Sequence, residues 1–568
     1  MAAGPRERAC VTPIVAEDGC RLLGFAPNGP KPCCAETAST ASPGKKMRRL
    51  AVLALALFAG LTQAQTLRWT SQGDMQTTDP HSQNEVLTNS LNNQVYEALT
   101  RRGKDMSMIP ALATEWTQVT PLIWRFKLRP GVKFHDGTPF TADDVVFSMQ
   151  RLRDANAPQR VYANAVGIPK AVDPLTVVFA LDKPNPIVPE LMGNLYIMSR
   201  RWCEEHRVTR PLDFKKQEES YASQNANGTG PFILVSRQPG VKTVFKRNPN
   251  WWNKFEGNLQ EFVYMPIAND ATRTAALISG EVDLVLDPPP RDVARLRSQP
   301  GLKVLDGQEN RIVYVGMDQT RDKLLYGQAP GDKNPLKDLR VRKALYQAID
   351  IEAIKTKLMN GYSLPTGGLT PSPRGGYNDP KLETRLPYDV AAARKLMADA
   401  GYADGFEITM DCPNNRYIND ERICVALASM WAQLKVKVKV NAMPRALFFP
   451  KAEKFDTSLY LAGWGGGSTD AEVMLTPVLR NRGEQGVGVA NYGGSINNEA
   501  DALAAQSTTE TDPAKREPLV KAALQSFREQ VNLIPLHRQV IPWAMRSNVN
   551  IPHSPNNLAS MDWVTLSK

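Results

Sequence analysis

The feature that most constrains the fold is an alternation of helix and strand patterns in the C-terminal third of the chain. Asp389 caps a helix pattern at residues 390–400, and an apolar strand pattern follows at residues 406–410. A second helix pattern covers residues 420–431, and in residues 436–440 valines alternate with lysines as in a half-buried strand. A strand, a helix and a strand in this order predict a right-handed β-α-β unit with parallel strands.

The same alternation extends toward the N-terminus. Residues 124–128 alternate between apolar and basic side chains, and Pro130 and Gly131 end this predicted strand. Thr141 precedes a helix pattern and has Asp144 three positions later, which is a capping-box arrangement. The chain is therefore predicted to be α/β throughout. The sequence has no internal repeat and no flexible linker, which suggests segments that cross between lobes more than once.

Composition is typical of a soluble globular protein. The 568 residues are enough for about three domains, and 42% hydrophobic with 22% charged residues is an ordinary balance. No apolar run reaches the roughly 18 residues of a membrane span, which argues against an integral membrane protein. The formal net charge is +11, but no run of five or more lysines and arginines indicates a nucleic-acid partner.

The N-terminal region has the pattern of an export signal. Met47 and two arginines precede an apolar run at residues 50–61, and Thr62 and Ala64 supply small residues after it. This pattern predicts a signal peptide at residues 47–64. Because the signal begins at Met47, residues 1–46 are interpreted as a start-site artefact or a disordered leader. No cysteine follows the run directly, so a lipoprotein anchor is not expected.

Cysteine use fits export to an oxidising compartment, where disulfides form. Residues 65–568 contain Cys203, Cys412 and Cys424. Cys412 lies near the end of a predicted strand and Cys424 lies inside the following helix, so these two are predicted to form a bridge. The alternative is a pair of buried thiols.

Motifs for catalysis, metals and cofactors are largely absent from the sequence. The five histidines form no HExxH motif, and no CxxC pair occurs. Gly465–Gly467 lacks the lysine of a P-loop, and Ser468 is outside a GxSxG motif because Asp470 takes the place of the second glycine. We therefore expect no enzymatic activity, no cofactor and no metal. A secreted hydrolase, with Ser468 and His537 in a triad assembled from distant residues, is a remote alternative.

The most distinctive stretch is WRFKLRPGVKFHDGTPFTADDVVFS at residues 124–148. It resembles the signature of the extracellular solute-binding proteins of peptide and nickel ABC importers, family 5, which include dipeptide- and oligopeptide-binding proteins. Four further stretches agree in order, at residues 227–252, 277–284, 341–354 and 401–408. The resemblance extends over residues 66–565.

The resemblance implies an α/β fold, the two-lobed periplasmic-binding-protein clamp of type II, cluster C, with an extra α/β domain. Lobe I would combine residues 65–108, 228–320 and 538–568, the extra domain would cover residues 109–227, and lobe II would cover residues 321–537. The chain would then cross between the lobes twice. Ligand binding would close the lobes by a hinge motion that the membrane permease detects.

The function implied is that of a monomeric periplasmic binding component of an ABC importer. It would capture a small peptide or peptide-like solute and deliver it to an inner-membrane permease with its ATPases. Within the same fold, carriage of a nickel chelate or haem is the alternative. A chaperone-like holdase for exported chains is a further one.

The resemblance also implies where the ligand lies. Residues 463–470 resemble the loop over the ligand, where Gly465 and Gly466 would allow close backbone approach and Trp464 would form an apolar wall or else a core tryptophan. In dipeptide binders an acidic residue three positions after this tryptophan pairs with the ligand's α-amino group. Here that position is Gly467, which puts amine capture in doubt. The predicted ligand contacts in this loop are Trp464, Gly465, Gly466, Gly467, Ser468 and Asp470.

Weaker candidates come from three other loops. Ser71, Gln72 and Asp74 follow the first predicted strand, and Asn227 and Thr229 begin the return into lobe I. Arg416 and Tyr417 follow the strand that carries Cys412, where an arginine could bind a carboxylate bidentately. For each of these residues the alternative is a solvated loop position.

Overall fold

A long mixed sheet organises the protein and carries its largest cores on its faces. The computed structural model describes residues 65–213, 216, 218–372, 379–484 and 486–567. The predicted signal peptide and residues 1–46 lie outside the described residues. Within the described part, twelve strands join in one sheet, and four others form a smaller antiparallel sheet.

The strands are numbered in chain order. They are β1 (Thr66–Thr70), β2 (Thr100–Arg102), β3 (Met108–Pro110), β4 (Ala113–Thr120), β5 (Ile123–Leu128), β6 (Ile168–Asp173), β7 (Thr176–Ala180), β8 (Phe232–Gln238), β9 (Lys242–Arg247), β10 (Glu261–Tyr264), β11 (Leu284–Leu286), β12 (Leu302–Met317), β13 (Gly327–Gln328), β14 (Ser363–Pro365), β15 (Glu407–Pro413), β16 (Lys437–Met443), β17 (Leu459–Gly465), β18 (Leu533–Arg546), β19 (Val549–Asn550) and β20 (Thr565–Leu566).

The helices are numbered in the same way. They are α1 (Val86–Asn92), α2 (Ala142–Leu152), α3 (Arg160–Ala165), α4 (Val188–Met192), α5 (Arg200–Glu205), α6 (Asp270–Ser279), α7 (Pro290–Ser298), α8 (Leu339–Gln347), α9 (Ile351–Ala353), α10 (Pro380–Glu383), α11 (Val390–Asp399), α12 (Asp420–Trp431), α13 (Arg445–Glu453), α14 (Glu472–Met474), α15 (Asn498–Ser507) and α16 (Pro513–Glu529).

The predicted β-α-β unit is present. Strands β15 and β16 pair in parallel over their full length, and α12 connects them. The preceding helix, α11, begins where the sequence indicates, because the Asp389 side chain accepts a hydrogen bond from the Ala392 amide. The apolar faces of α8, α11 and α12 pack in one hydrophobic core with residues of β15, and this core includes Trp431.

The capping box predicted in the signature stretch is also present. The Asp144 carboxylate accepts a hydrogen bond from the Thr141 amide at 2.9 Å, and α2 begins at the next residue. Helix α2 packs on the small sheet, whose strand order is β4-β5-β7-β6. Phe126 and Phe179 meet edge to face in its core, with ring centroids 5.5 Å apart.

Two long antiparallel strands, β12 and β18, run beside each other through the middle of the large sheet. Their register is regular from Leu302 to Gln308 and resumes at Ile312, with a shift between these two residues. The intervening segment, residues 309–311, has no register partner on β18 and forms a β-bulge, although Arg311 still pairs with Gly465 of β17. The sequence predicts only the second half of β12, residues 311–317, because the first half lacks a clear strand period. The boundaries proposed for the lobes and the extra domain stay a prediction.

Cys412 and Cys424 are bonded to each other, which confirms the predicted pairing. The bridge joins the end of β15 to α12 and closes a loop with a sequence separation of 12. The third cysteine of this region, Cys203, is buried, and burial raises the pKa of its thiol to about 12.

Removal of this bridge by the double substitution Cys412→Ala and Cys424→Ala should lower the free energy of unfolding by about 3 kcal/mol, because a loop of this length loses that much closure entropy. Urea unfolding of the oxidised and substituted proteins measures the difference. Cys203→Ala is the control for loss of a thiol without loss of a bridge. A double variant as stable as the oxidised protein would contradict the prediction.

No helix within the described residues is both long enough and apolar enough to cross a membrane.

Candidate functional site

A cavity of about 1140 Å³ lies beside the interruption between β12 and β18. We call its sides the first wall, formed by residues between 84 and 196, and the second wall, formed by residues between 416 and 516. The bulge residues Glu309, Asn310 and Arg311 lie between the walls and also line the cavity. This volume is at the upper end for small-molecule pockets, which indicates room for a ligand larger than a single amino acid.

The loop after β17 is fastened to the bulge. The Asn310 side chain donates hydrogen bonds to the carbonyl oxygens of Gly466 and Ser468, each at 2.6 Å. A Cβ atom on Gly465 would lie 2.0 Å from the Asn310 carbonyl oxygen, so this close approach requires glycine. The predicted loop residues 464–468 all line the cavity.

Trp464 is both a core residue and a cavity-wall residue, which are the two roles that the sequence allows. Its indole Nε1 donates a hydrogen bond to the Val473 carbonyl oxygen at 2.6 Å, and part of the ring packs on the core of the second wall. The remaining surface lines the cavity. The tryptophan is therefore a rigid part of the wall, available for contact with an apolar or planar group.

The two walls touch each other. The Ser468 hydroxyl and the Glu190 carboxylate form a hydrogen bond across the cavity, and Arg102 holds the same carboxylate at 2.8 Å. A Cβ atom on Gly467 would lie 2.8 Å from the Asn194 side-chain oxygen. Position 467, which has no acidic side chain, is therefore a point where the first wall comes close to the loop.

Arg416 is a half-buried cation that lines the cavity. Within the described residues no acceptor takes a hydrogen bond from its guanidinium, which lies over the Tyr417 ring at 5.2 Å. Burial lowers the pKa of Arg416, and the nearby Arg311 charge lowers it further. Arg311 itself is paired with Glu309 at 3.0 Å. The arrangement therefore leaves a half-buried positive charge available to an anion.

Tyr417 is a structural neighbour of this arginine as well as a wall residue. Its hydroxyl donates a hydrogen bond to the Gly463 carbonyl oxygen at 3.0 Å. The Asp420 carboxylate accepts hydrogen bonds from the Arg416 and Tyr417 amides at 2.9 and 3.0 Å. The start of α12 thereby fixes the backbone that presents the guanidinium.

Asp470 is paired with Arg516 inside the protein and is not among the residues that line the cavity. Its two carboxylate oxygens bind the Arg516 guanidinium at 2.6 and 2.8 Å, and both side chains are buried. One of these oxygens also accepts a hydrogen bond from the Glu472 amide at 2.8 Å. This carboxylate therefore holds the loop to α16.

The weaker candidates of lobe I lie outside the cavity lining that the described residues form. The Ser71 hydroxyl donates to Asp287 at 2.9 Å, the Asp74 carboxylate accepts from the Gly240 amide at 2.8 Å, and Gln72 is exposed. Their role as ligand contacts stays a prediction.

Asn227 and Thr229 are also engaged within the protein. The Asn227 amide donates to the Asp136 carboxylate at 2.8 Å, and the Thr229 hydroxyl donates to the Glu97 carboxylate at 2.8 Å. Glu97, which lines the cavity, also accepts a hydrogen bond from the Trp252 indole at 2.7 Å. Burial raises the pKa of Glu97 to about 7. Thr229 therefore lies behind the wall and supports a wall residue.

Sequence reasoning missed Glu97, the bulge residues 309–311 and Glu472. Glu97 and Glu472 are single acidic residues in ordinary helical or loop surroundings. The bulge has no recognisable turn signal in the sequence, because residues 309–311 differ from a regular strand only in their backbone pairing with β18. Strand β12 has 16 residues, nearly three times the usual length, but its first half lacks a clear strand period, so the sequence has no signal for the bulge.

The profile of the bacterial extracellular solute-binding proteins, family 5 Middle, matches residues 107–486, which is well over half of the chain. The chain belongs to this family. Family 5 consists of binding proteins for transport rather than enzymes, and the resemblance noted in the sequence is confirmed.

Curated relatives and solved structures agree with family 5 membership. Haem-binding protein A of Haemophilus influenzae is 28% identical over 481 residues, which cover 80% of this chain and 83% of that protein. Di/tripeptide-binding protein 1 of Pseudomonas aeruginosa is 27% identical over 486 residues, with coverages of 81% and 86%.

Among solved structures, a periplasmic binding protein of Helicobacter pylori in complex with the peptide STSA has a TM-score of 0.74 and 20% identity. The similarity covers 89% of this chain and 98% of that one. The predicted fold class, an α/β clamp of the periplasmic binding proteins, is confirmed.

Proposed function

We propose that this protein is the exported, periplasmic binding component of an ABC importer for short peptides or peptide-like solutes that carry a carboxylate. The observation that carries the proposal is Arg416, a half-buried guanidinium with no hydrogen-bond acceptor among the described residues, in a cavity of about 1140 Å³. A ligand carboxylate would supply two parallel hydrogen bonds and the missing negative charge.

The peptide part of the proposal is supported by the relatives. The Pseudomonas aeruginosa relative is named for di- and tripeptides, and the Helicobacter pylori structure contains a four-residue peptide. The glycine backbone at residues 465–467 offers the close approach that main-chain recognition of an extended peptide needs.

Contacts across the cavity support capture by closure. The hydrogen bond between Ser468 and Glu190 and the 3.5 Å ion pair between Arg445 and Glu85 connect the two walls without passing through a ligand. A ligand that touches both walls would add its binding energy to the same arrangement and so shift the population toward it. The closed form would then be the species that the permease and its ATPases recognise.

The same cavity bears on two alternative functions, haem carriage and hydrolysis. Haem is suggested by the name of the Haemophilus influenzae relative, but no histidine is among the described residues that line the cavity, and His81 and His537 are fully buried. A hydrolase built on Ser468 is disfavoured because its hydroxyl bonds to Glu190, while neither ring nitrogen of His537 has a partner among the described residues.

A ligand panel tests the proposal. The purified protein, unfolded and refolded to remove carried-over ligand, should be stabilised by peptides and become more compact in solution scattering. At 100-fold its dissociation constant a ligand adds about 2.7 kcal/mol of stability, so a melting shift of a few degrees is expected. The panel includes dipeptides, longer peptides, glutathione, nickel chelates, haem and oligosaccharides. Stabilisation by haem or a chelate alone would reject the peptide ligand but keep the transport role.

A further inference from the structure

The bulge between the walls places a second arginine at the cavity. Arg311 is part of the lining, and its side chain keeps 6% of its surface exposed. Its Nε donates a hydrogen bond to a carboxylate oxygen of Glu309 at 3.0 Å, and the Gln539 side chain donates to the same oxygen at 2.9 Å. The terminal nitrogens, Nη1 and Nη2, donate to no described residue, and neither is among the enclosed polar atoms that lack a partner. The ion pair therefore leaves the outer edge of this guanidinium to the cavity.

Arg311 lies close to Arg416. The Cζ atoms of the two arginines lie over the same ring, that of Tyr417, at 6.0 and 5.2 Å from its centroid. Besides burial, the charge of Arg311 lowers the pKa of Arg416. An anion between or beside two such cations would favour their charged forms. Glu309 supplies only one negative charge, so these three side chains together keep one net positive charge.

The charges around the whole cavity give the same balance. Its lining contains nine basic and five acidic side chains. Three of the basic ones, Arg102, Arg480 and Arg516, are paired with acids that are not part of the lining. When every acid is ionised, one positive charge remains. A zwitterionic peptide has no net charge and leaves this excess in place, whereas a peptide with one additional carboxylate has a net negative charge and removes it.

We propose that Arg311 binds a second anionic group of the transported solute, a carboxylate separate from the one assigned to Arg416. The inference rests on the proposed function and specifies its ligand further. The edge formed by Nη1 and Nη2 can donate two parallel hydrogen bonds to a carboxylate. The bond from Nε to Glu309 orients the guanidinium, and the charge of Glu309 limits the cost of two neighbouring cations in the empty cavity. The solute class is therefore an acidic peptide or a peptide-like dicarboxylate.

Tripeptide mixtures that differ only in one side-chain carboxylate test the inference. Each mixture contains glutamate at one fixed position, and its partner contains glutamine there. At one or more of the three positions we expect the wild type to bind the glutamate mixture about tenfold more tightly by calorimetry. Arg311→Gln should remove this preference, and Arg311→Lys, which keeps the charge, should retain part of it. Arg422→Gln, which changes an exposed arginine on α12, is the matched control and should leave the preference unchanged.

Glu309 provides a readout that a purely structural role would not produce. Glu309→Gln keeps an oxygen for the Arg311 Nε but removes the negative charge, so affinity for the glutamate mixture should rise. Arg311→Gln should lower the same affinity. An ion pair that only stabilised the fold would lose affinity in both variants, for glutamate and glutamine mixtures alike, and that result would overturn the inference.

A second comparison separates Arg311 from Arg416. A tripeptide mixture without acidic side chains and its C-terminal amides differ only in the terminal carboxylate. Arg416→Gln should remove the preference for the carboxylate form, and Arg311→Gln should keep it. Loss of this preference in both variants would mean that the two arginines hold one carboxylate, which would overturn the second subsite.

The remaining outcomes distinguish the inference from the proposed function. Equal affinity for glutamate and glutamine mixtures at every position would overturn the role of Arg311 while the peptide proposal stands. Binding of N-acetylglutamate over N-acetylglutamine, lost in Arg311→Gln, without any peptide binding would reject the peptide proposal and support the second anion subsite. A melting temperature of Arg311→Gln equal to that of the wild type confirms that lost preference is not lost folding. If that variant does not fold, the wild-type preference together with Arg311→Lys and Glu309→Gln decides the result.

Discussion

Replacing Asp79 with asparagine is expected to lower the free energy of unfolding by about 3–5 kcal/mol, because it leaves a buried arginine without its counter-charge. The Asp79 carboxylate binds the Arg151 guanidinium through two hydrogen bonds, at 2.9 and 2.5 Å, and neither side chain has any exposed surface. Arg151 also donates to the carbonyl oxygens of Val208 at 3.1 Å and Arg210 at 2.9 Å. The pair thus joins the loop after β1 to α2 and to the segment after α5.

Urea unfolding measures this loss, and an exposed ion pair of the same type is the control. Arg201 and Glu205 lie 2.7 Å apart on the surface of α5, so Glu205→Gln should have little effect on stability. A loss below 1 kcal/mol in Asp79→Asn would contradict the prediction.

The same pair has a pH signature. Burial alone would raise the pKa of Asp79, but the charge and hydrogen bonds of Arg151 lower it below the ordinary value. A carboxyl group with a lowered folded-state pKa contributes stability above its unfolded pKa and loses it as the pH falls through the folded one. Asp79→Asn should therefore lose this part of the acid sensitivity.

Replacing Arg416 with glutamine is expected to weaken binding of a carboxylate-bearing ligand by about 2–5 kcal/mol, which is roughly thirtyfold or more. The guanidinium has no protein acceptor among the described residues, so the ligand carboxylate would be its main partner. Glutamine keeps part of the length and hydrogen-bonding capacity but removes the charge. The backbone around it, held by Asp420, should be unaffected.

Calorimetry with a peptide and its C-terminal amide forms a double-mutant cycle for this prediction. The amide should bind the wild type weakly, and Arg416→Gln should bind peptide and amide alike. Arg422→Gln changes an exposed arginine in the neighbouring helix and should have no effect. If the wild type binds the amide as tightly as the free carboxylate, Arg416 does not recognise the ligand carboxylate.

Local signals in the sequence predict most of the fold correctly. Asp389, the Thr141–Asp144 capping box and the alternating valines of β16 all act within a few residues of the element that they define. Gly280 ends α6 with φ of 82°, a conformation for which glycine is suited. Such features can be inferred because their causes are local.

The candidate site is predictable only in part, because its chemistry depends on distant partners. Asp470 appears in the sequence as a free acid beside a glycine-rich loop, yet Arg516, 46 residues later, neutralises it. Glu472 has the same chemistry two positions on and forms no ion pair among the described residues. The sequence places Arg416 three residues after the end of β15, and the structure has it in the cavity lining; its role as a ligand contact stays a prediction. Which of several charges stays unpaired is decided by packing between elements far apart in the chain.

The bulge between Gln308 and Ile312 should make the sheet beside the cavity easier to bend at this point. One residue of β18, Gln539, lies opposite the three residues of this segment, and its side chain donates a hydrogen bond to Glu309 at 2.9 Å. A ribbon of two strands bends with least resistance where its rungs are missing. Residues 309–311 therefore line the cavity at a point where the ladder between β12 and β18 is interrupted. Substitutions at 309–311 made to alter selectivity should also change how fast the clamp opens, so that affinity and release rate are tuned together.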